Sequence, residues 1–99
     1  MNLTEFKAST AADQPPEGLS LPLQTLWWEA KGDWSHAHAI AQDIASPSAS
    51  WVHAYLHRKE GDASNAGYWY RRAGKERAEQ ALETEWNEIV EALLAQRVS

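Results

Sequence analysis

Two histidines and a glutamate lie on successive helical turns of the segment WVHAYLHRKEGD. His53, His57 and Glu60 stand at positions i, i+4 and i+7, so on a helix they share one flank. Imidazole and carboxylate groups are ligands that a divalent metal accepts. The spacing therefore predicts either a metal site on His53 and His57 or histidines that only contact neighbouring helices. His36 or His38 could join them only if the preceding helix packs beside this one.

A tyrosine and an arginine four residues apart form a second group, in the segment NAGYWYRRAG. On a helix Tyr68 and Arg72 can stack, and together they can bind a carboxylate or a phosphate. The alternative is a solvated face that carries a favourable pair. The two groups combine into one candidate ligand-binding site, made of His53, His57, Glu60, Tyr68 and Arg72.

No catalytic constellation is recognisable in the sequence. There is no cysteine, so a thiol nucleophile, a disulfide framework and a zinc ribbon are excluded. Serines and threonines lie in predicted caps or loops without a glycine elbow, and there is no phosphate-binding loop or dinucleotide fingerprint. We therefore predict no catalytic residue, although acid–base chemistry by His53 or His57 remains an alternative.

Glycine, proline and serine breaks divide the chain into helical segments. Gly32, Gly61 and Gly74 each follow a segment with apolar residues at helical spacing, and SPS interrupts the pattern at 46–48. No segment alternates over enough residues to be a strand. The fold class is predicted to be all-α, with about five helices in a single domain over residues 21–98. Residues 1–20, rich in Ser, Ala, Pro and Gly, are predicted to form a weakly ordered arm.

Two copies of a short turn suggest an internal repeat. GDWSHA begins at Gly32 and GDASNA at Gly61, each between two helices. Glycine allows the left-handed turn at a helix end, and aspartate caps the next helix. The frame resembles the tetratricopeptide repeat, which implies two antiparallel helical hairpins closed by a C-terminal amphipathic helix. An ordinary five-helix bundle that reuses one turn is the alternative.

Charge and hydropathy limit the partners. The formal net charge is −5, which argues against nucleic acid and anionic lipid. No apolar run reaches the length of a membrane helix, and the first residues lack the features of a secretory signal. We expect a cytoplasmic protein whose partner is another protein, a peptide or a second copy of itself.

Two longer segments carry a closer resemblance. LWWEAKGDWSHAHAIAQD and SWVHAYLHRKEGDASNAGYWYRRAG resemble a family of small, uncharacterised helical proteins of bacteria, over about residues 21–98. The resemblance implies a helical fold and draws attention to the second hairpin, but it implies no activity.

These observations favour a non-catalytic protein-interaction or self-association module. The alternative is a small-molecule-binding or metal-binding protein with its site on the 51–74 hairpin. No cofactor is expected, apart from the divalent metal that His53 and His57 could hold.

Overall fold

The computed structural model describes residues 1–42 and 46–96, and in these residues all regular secondary structure is helical. The all-α prediction is therefore confirmed. None of the helices in these two ranges is long and apolar enough to cross a membrane. Residues 97 and 98, the end of the predicted domain, lie outside the described residues. The helices are α1 (Leu3–Ser9), α2 (Leu21–Ala30), α3 (Trp34–Gln42), α4 (Pro47–Lys59), α5 (Ala63–Ala73) and α6 (Leu82–Gln96).

The predicted number of about five helices is wrong, because the described residues form six. The additional helix is α1, in the segment where no helix was predicted. The Asn2 side chain accepts a hydrogen bond from the Glu5 N–H at 2.8 Å, and the Glu5 carboxylate accepts one from the Asn2 N–H at 3.0 Å. This capping box starts the helix, and Phe6, fully buried against Trp86 at 5.6 Å between ring centroids, holds it in place. A helix of seven residues is too short to be stable alone, so it depends on this tertiary contact.

The repeated Gly-Asp frame corresponds to a repeated turn. Gly32 and Gly61 have φ of 82° and 84°, the left-handed conformation that ends a helix. The following aspartate N–H donates to the carbonyl five residues earlier, at 3.0 Å in the first turn and 2.9 Å in the second. The aspartate side chain then accepts from the N–H three residues later, at 3.0 and 3.2 Å. One sequence motif thus produces the α2–α3 and α4–α5 connections.

The two hairpins pack through a shared core. α2 contacts α3, α4 contacts α5, and α6 lies against α1, α2 and α4. Small residues allow the close approach of α4 and α5, where Ala54, Ala66 and Tyr70 form a separate buried cluster. The main core is built from large side chains on α1, α2, α4 and α6, the bulkiest fully buried ones being Trp27, Phe6, Leu23, Leu26, Leu56 and Ile89.

One buried carboxylate ties the second hairpin to α6. Glu85, on α6, is only 1% exposed. Arg58 Nη1 donates to its Oε1 at 2.9 Å, and the Tyr70 hydroxyl donates to its Oε2 at 2.5 Å. Trp51 Nε1 also donates to Oε2, at 3.4 Å. A carboxylate with these partners is compensated for its loss of water.

Candidate functional site

The α4–α5 hairpin carries all five predicted site residues. Because Ala54 and Ala66 bring the two helices close together, the polar side chains are displaced to the flanks of the hairpin. The flanks differ in character. Histidines and carboxylates occupy the side that faces α3, and arginines and aromatic rings occupy the outer side of α5.

His53 contacts both α3 and α5. Its Nε2 lies 2.9 Å from the Ala41 carbonyl oxygen, and its ring stacks on Trp69 with centroids 4.3 Å apart and planes 16° from parallel. Burial lowers the pKa of His53 below 6.5, although the bond to Ala41 raises it, and the positive charges of His57, His38 and Arg72 lower it further. The imidazole is therefore held as a neutral ring between two elements.

The other two predicted metal ligands have separate partners. Glu60 pairs with His38, whose Nε2 lies 2.9 Å from Glu60 Oε1. α3 therefore packs beside α4, which was the condition for His38 to lie near these residues. His57 Nδ1 lies 3.8 Å from Asp62 Oδ2 and is buried without a hydrogen bond among the described residues. Hydrogen bonds from the Asn65 side chain and then from its backbone N–H lower the pKa of Asp62, which therefore stays ionised.

The histidine flank does not converge on a metal position. Within residues 1–42 and 46–96, no three or more histidine, aspartate or glutamate side chains gather in a group that could hold a metal ion. Shared spacing on one helix placed His53, His57 and Glu60 on one flank, but α3 and the hairpin turn supply each with a different partner.

Tyr68 and Arg72 form the pair that their spacing predicted. Arg72 Nη1 donates to the Tyr68 hydroxyl at 2.9 Å, and the guanidinium also lies over the Trp69 ring, 5.1 Å from its centroid. Because Trp69 stacks on His53, the two predicted groups are joined into one continuous surface. We call Tyr68, Trp69, Arg72 and His53 the aromatic–arginine surface.

Sequence reasoning missed Trp69 as a member of this surface. A tryptophan on a helix of a small domain is usually part of the core. The signal that could have found it is the spacing of Trp69 and Arg72, which are three residues apart and therefore neighbours on a helix. That spacing does not reveal the contact with His53, which comes from another helix.

Positive charge is concentrated in the second hairpin and in the segment that follows it. Six of the nine lysine and arginine residues lie between positions 58 and 77. Arg58 and Lys59 are held internally by Glu85 and Glu29. The other four are exposed, and none of them pairs with a carboxylate of the described residues; they are Arg71, Arg72, Lys75 and Arg77.

Two of these four cations lie over the faces of aromatic rings. Lys75 Nζ lies 4.2 Å from the centroid of the Trp51 ring, as the Arg72 guanidinium lies over Trp69. Cations above ring faces are attracted by the ring quadrupole, but their outer sides remain free for an anion.

Comparison of this chain with protein-family models, with curated proteins and with solved structures gave no match.

Proposed function

We propose that this protein is a non-catalytic interaction module that binds a short acidic segment of another protein through the aromatic–arginine surface. The observation that carries the proposal is a group of four exposed cations, which pair with no carboxylate of the described residues, in a chain of net charge −5. In a molecule with an excess of acidic residues, nearby carboxylates would ordinarily neutralise such a group. A carboxylate-bearing partner supplies the missing charge.

Arg72 is held ready for such a partner. The Tyr68 hydroxyl and the Trp69 ring fix its guanidinium, so less side-chain entropy is lost when a carboxylate binds. Guanidinium groups bind carboxylates through two parallel hydrogen bonds. Tyr68 is 44% exposed, and tyrosine, tryptophan and arginine are the residue types that contribute most at protein interfaces.

The surrounding charges favour a short segment over a long polyanion. Glu76 and Glu88 line the same shallow depression as Lys75 and Arg77. A nucleic acid that extended past Arg72 would meet these carboxylates, whereas a few acidic residues on a peptide would not. The proposed occupant is therefore an acidic peptide segment.

The finer features expected from the sequence belong to the same proposal. The equal turns at Gly32 and Gly61 support reading the two hairpins as degenerate tetratricopeptide-like units, which commonly present protein-binding surfaces. Membership of the small helical bacterial family is also proposed, on the two quoted segments. A cytoplasmic location is proposed because a chain without cysteine is compatible with a reducing compartment.

The test is the binding of a fluorescein-labelled peptide of four Glu-Gly repeats, followed by fluorescence anisotropy at low ionic strength. We expect the wild-type protein to bind it and a Gln-Gly peptide of equal length not to bind. Arg72→Gln should weaken binding by about fivefold or more, because a charge-assisted hydrogen bond is lost. Lys7→Gln makes the same change of charge on α1 and should leave the affinity unchanged.

Three results would overturn the proposal. Equal losses for the two variants would show attraction by net charge alone. Binding of a single-stranded oligonucleotide of eight phosphates as tightly as the acidic peptide would show a general anion site. A dimer in sedimentation that Arg72→Gln dissociates would show that the surface binds a second copy.

A further inference from the structure

A cleft that shares no lining residue with the aromatic–arginine surface has the features of a small-molecule site. It lies between α1, α2, α4 and α6 and has a volume of about 330 Å³, within the range of ligand pockets. Trp86, Leu82 and Ala30 line it with apolar surface. It is separate from the aromatic–arginine surface, and none of the residues of that surface lines it.

Two buried polar side chains, on α2 and α4, line the same cleft. Glu29 and Tyr55 are each 3% exposed, although both contribute to its lining. Lys59 pairs with Oε1 of Glu29, and Oε2 accepts no hydrogen bond from the residues that the structure describes. The Tyr55 hydroxyl likewise makes no hydrogen bond within residues 1–42 and 46–96, in contrast to the Tyr70 hydroxyl on Glu85.

Both polar side chains can act on a molecule in the cleft, because both belong to residues that line it. Burial, and then the negative charges of Glu29 and Glu85, raise the pKa of Tyr55, so its hydroxyl stays protonated and available as a donor. The Glu29 carboxylate offers an acceptor. Beside the charged ends of Lys7, Lys59 and Glu83, the cleft thus presents the Tyr55 hydroxyl as a donor and the Glu29 carboxylate as an acceptor next to apolar surface.

We propose that this cleft binds a small, uncharged aromatic molecule that carries a hydroxyl group, of the phenol or aromatic-alcohol class. A hydroxyl donates one hydrogen bond and accepts others, so it can donate to Glu29 and accept from Tyr55. Its ring would pack against Trp86 and Leu82.

The charges at the cleft favour a neutral ligand. Lys7 Nζ and Glu83 Oε1 lie 3.9 Å apart, and Lys59 is paired with Glu29. The charges of these two cations and two carboxylates cancel, so neither an anionic nor a cationic ligand gains electrostatic free energy by binding in the cleft. Binding selectivity therefore comes from the hydroxyl and the ring.

The test uses 4-methylphenol as the probe, with 4-methylanisole and toluene as matched molecules that lack the hydroxyl donor. Affinity is measured by calorimetric titration, and the position of the probe by amide chemical-shift changes. We expect 4-methylphenol to bind about threefold to tenfold more tightly than 4-methylanisole, which lacks the hydrogen bond to Glu29, and more tightly still than toluene, which lacks both hydrogen bonds. The amide signals of residues on α2, α4 and α6 beside the cleft should shift.

Three variants test whether 4-methylphenol binds in this cleft. Tyr55→Phe should weaken the binding of 4-methylphenol by about threefold to tenfold, the effect of one hydrogen bond. It removes no hydrogen bond of the described residues, so the fold should persist. Tyr68→Phe, a matched change on the aromatic–arginine surface, should have no effect. Glu29→Gln should weaken binding more than Tyr55→Phe if the variant folds.

The proposal is overturned if 4-methylphenol and toluene bind equally, if Tyr55→Phe leaves the affinity unchanged, or if 4-methylphenol in the millimolar range does not bind. None of these results bears on the acidic-peptide proposal, because the two tests use different residues and different probes.

Discussion

At the scale of single residues, His53 shows how its surroundings set the chemistry of a side chain. The ring is stacked on Trp69 and bonded to the Ala41 carbonyl. Withdrawal from water and the nearby cationic groups of His57, His38 and Arg72 lower its pKa below 6.5. A histidine expected to be a metal ligand thus serves as a neutral contact between α3, α4 and α5.

This shift of the His53 pKa predicts a pH-dependent stability. Just below pH 6.5 the unfolded state binds a proton at this residue and the folded state does not, so the free energy of unfolding falls as the pH decreases. Above pH 6.5 His53 makes its full contribution to the free energy of unfolding. His53→Gln should lower stability at pH 8 and should flatten the loss on acidification. Urea unfolding at several pH values between 5 and 8 measures both effects, and parallel curves for the two proteins would contradict the assignment.

At the scale of elements, glycine has two different functions in this chain. Gly32 and Gly61 end helices in the left-handed conformation, and a Cβ placed on either would touch nothing within 4 Å. Gly67 lies inside α5, where a Cβ would come within 2.5 Å of Arg77 Nη2. The first type is required by the backbone conformation, whereas the second is opposed only by the end of a flexible side chain.

A pair of alanine substitutions separates these functions. Gly61→Ala should destabilise the protein by about 1–2 kcal/mol, the cost of a left-handed conformation for a residue with a Cβ. Gly67→Ala should stabilise it by up to about 1 kcal/mol, because alanine favours the helix and Arg77 can move away. Thermal unfolding of both variants measures the contrast. Destabilisation of similar size in both would show that at Gly67 the contact with Arg77 outweighs the gain in helix propensity.

At the scale of the whole molecule, α1 completes the structure formed by α2, α4 and α6. Phe6 is its one fully buried residue and contacts Trp86. Lys31 Nζ donates to the carbonyl oxygens of Thr10 and Ala12 at 2.8 Å each, which fastens the end of α1 to the end of α2. The helix also supplies one wall of the cleft.

Removing the Phe6 ring should therefore release α1. Phe6→Ala is expected to cost about 3–5 kcal/mol, the usual loss for a buried aromatic side chain. Hydrogen exchange should show loss of protection in α1 before any loss in α4 and α5. Leu21→Ala, which changes an aliphatic residue that is 48% exposed, is the control and should cost much less. Equal protection of α1 in both variants would show that Phe6 does not hold this helix.

Local interactions explain what could be predicted from the sequence. The turns at Gly32 and Gly61 and the Tyr68–Arg72 pair depend on residues within five positions of each other, whose geometry on a helix is known in advance. The all-α class follows from the same kind of pattern. The caps of α3 and α5 lie where Asp33 and Asp62 predicted them, since each accepts from an N–H three residues later.

Tertiary structure alone decided which surfaces these elements form. His38 meets Glu60 across 22 positions, and Trp51 meets Glu85 across 34. The burial of Glu85 could not be predicted, because it depends on Arg58 and Tyr70 arriving from another hairpin. Helical periodicity places a side chain on a face of its own helix, but the packing of helices determines what that face meets. For this reason the sequence determined the helices and their turns, whereas packing separated the predicted metal ligands and created the cleft.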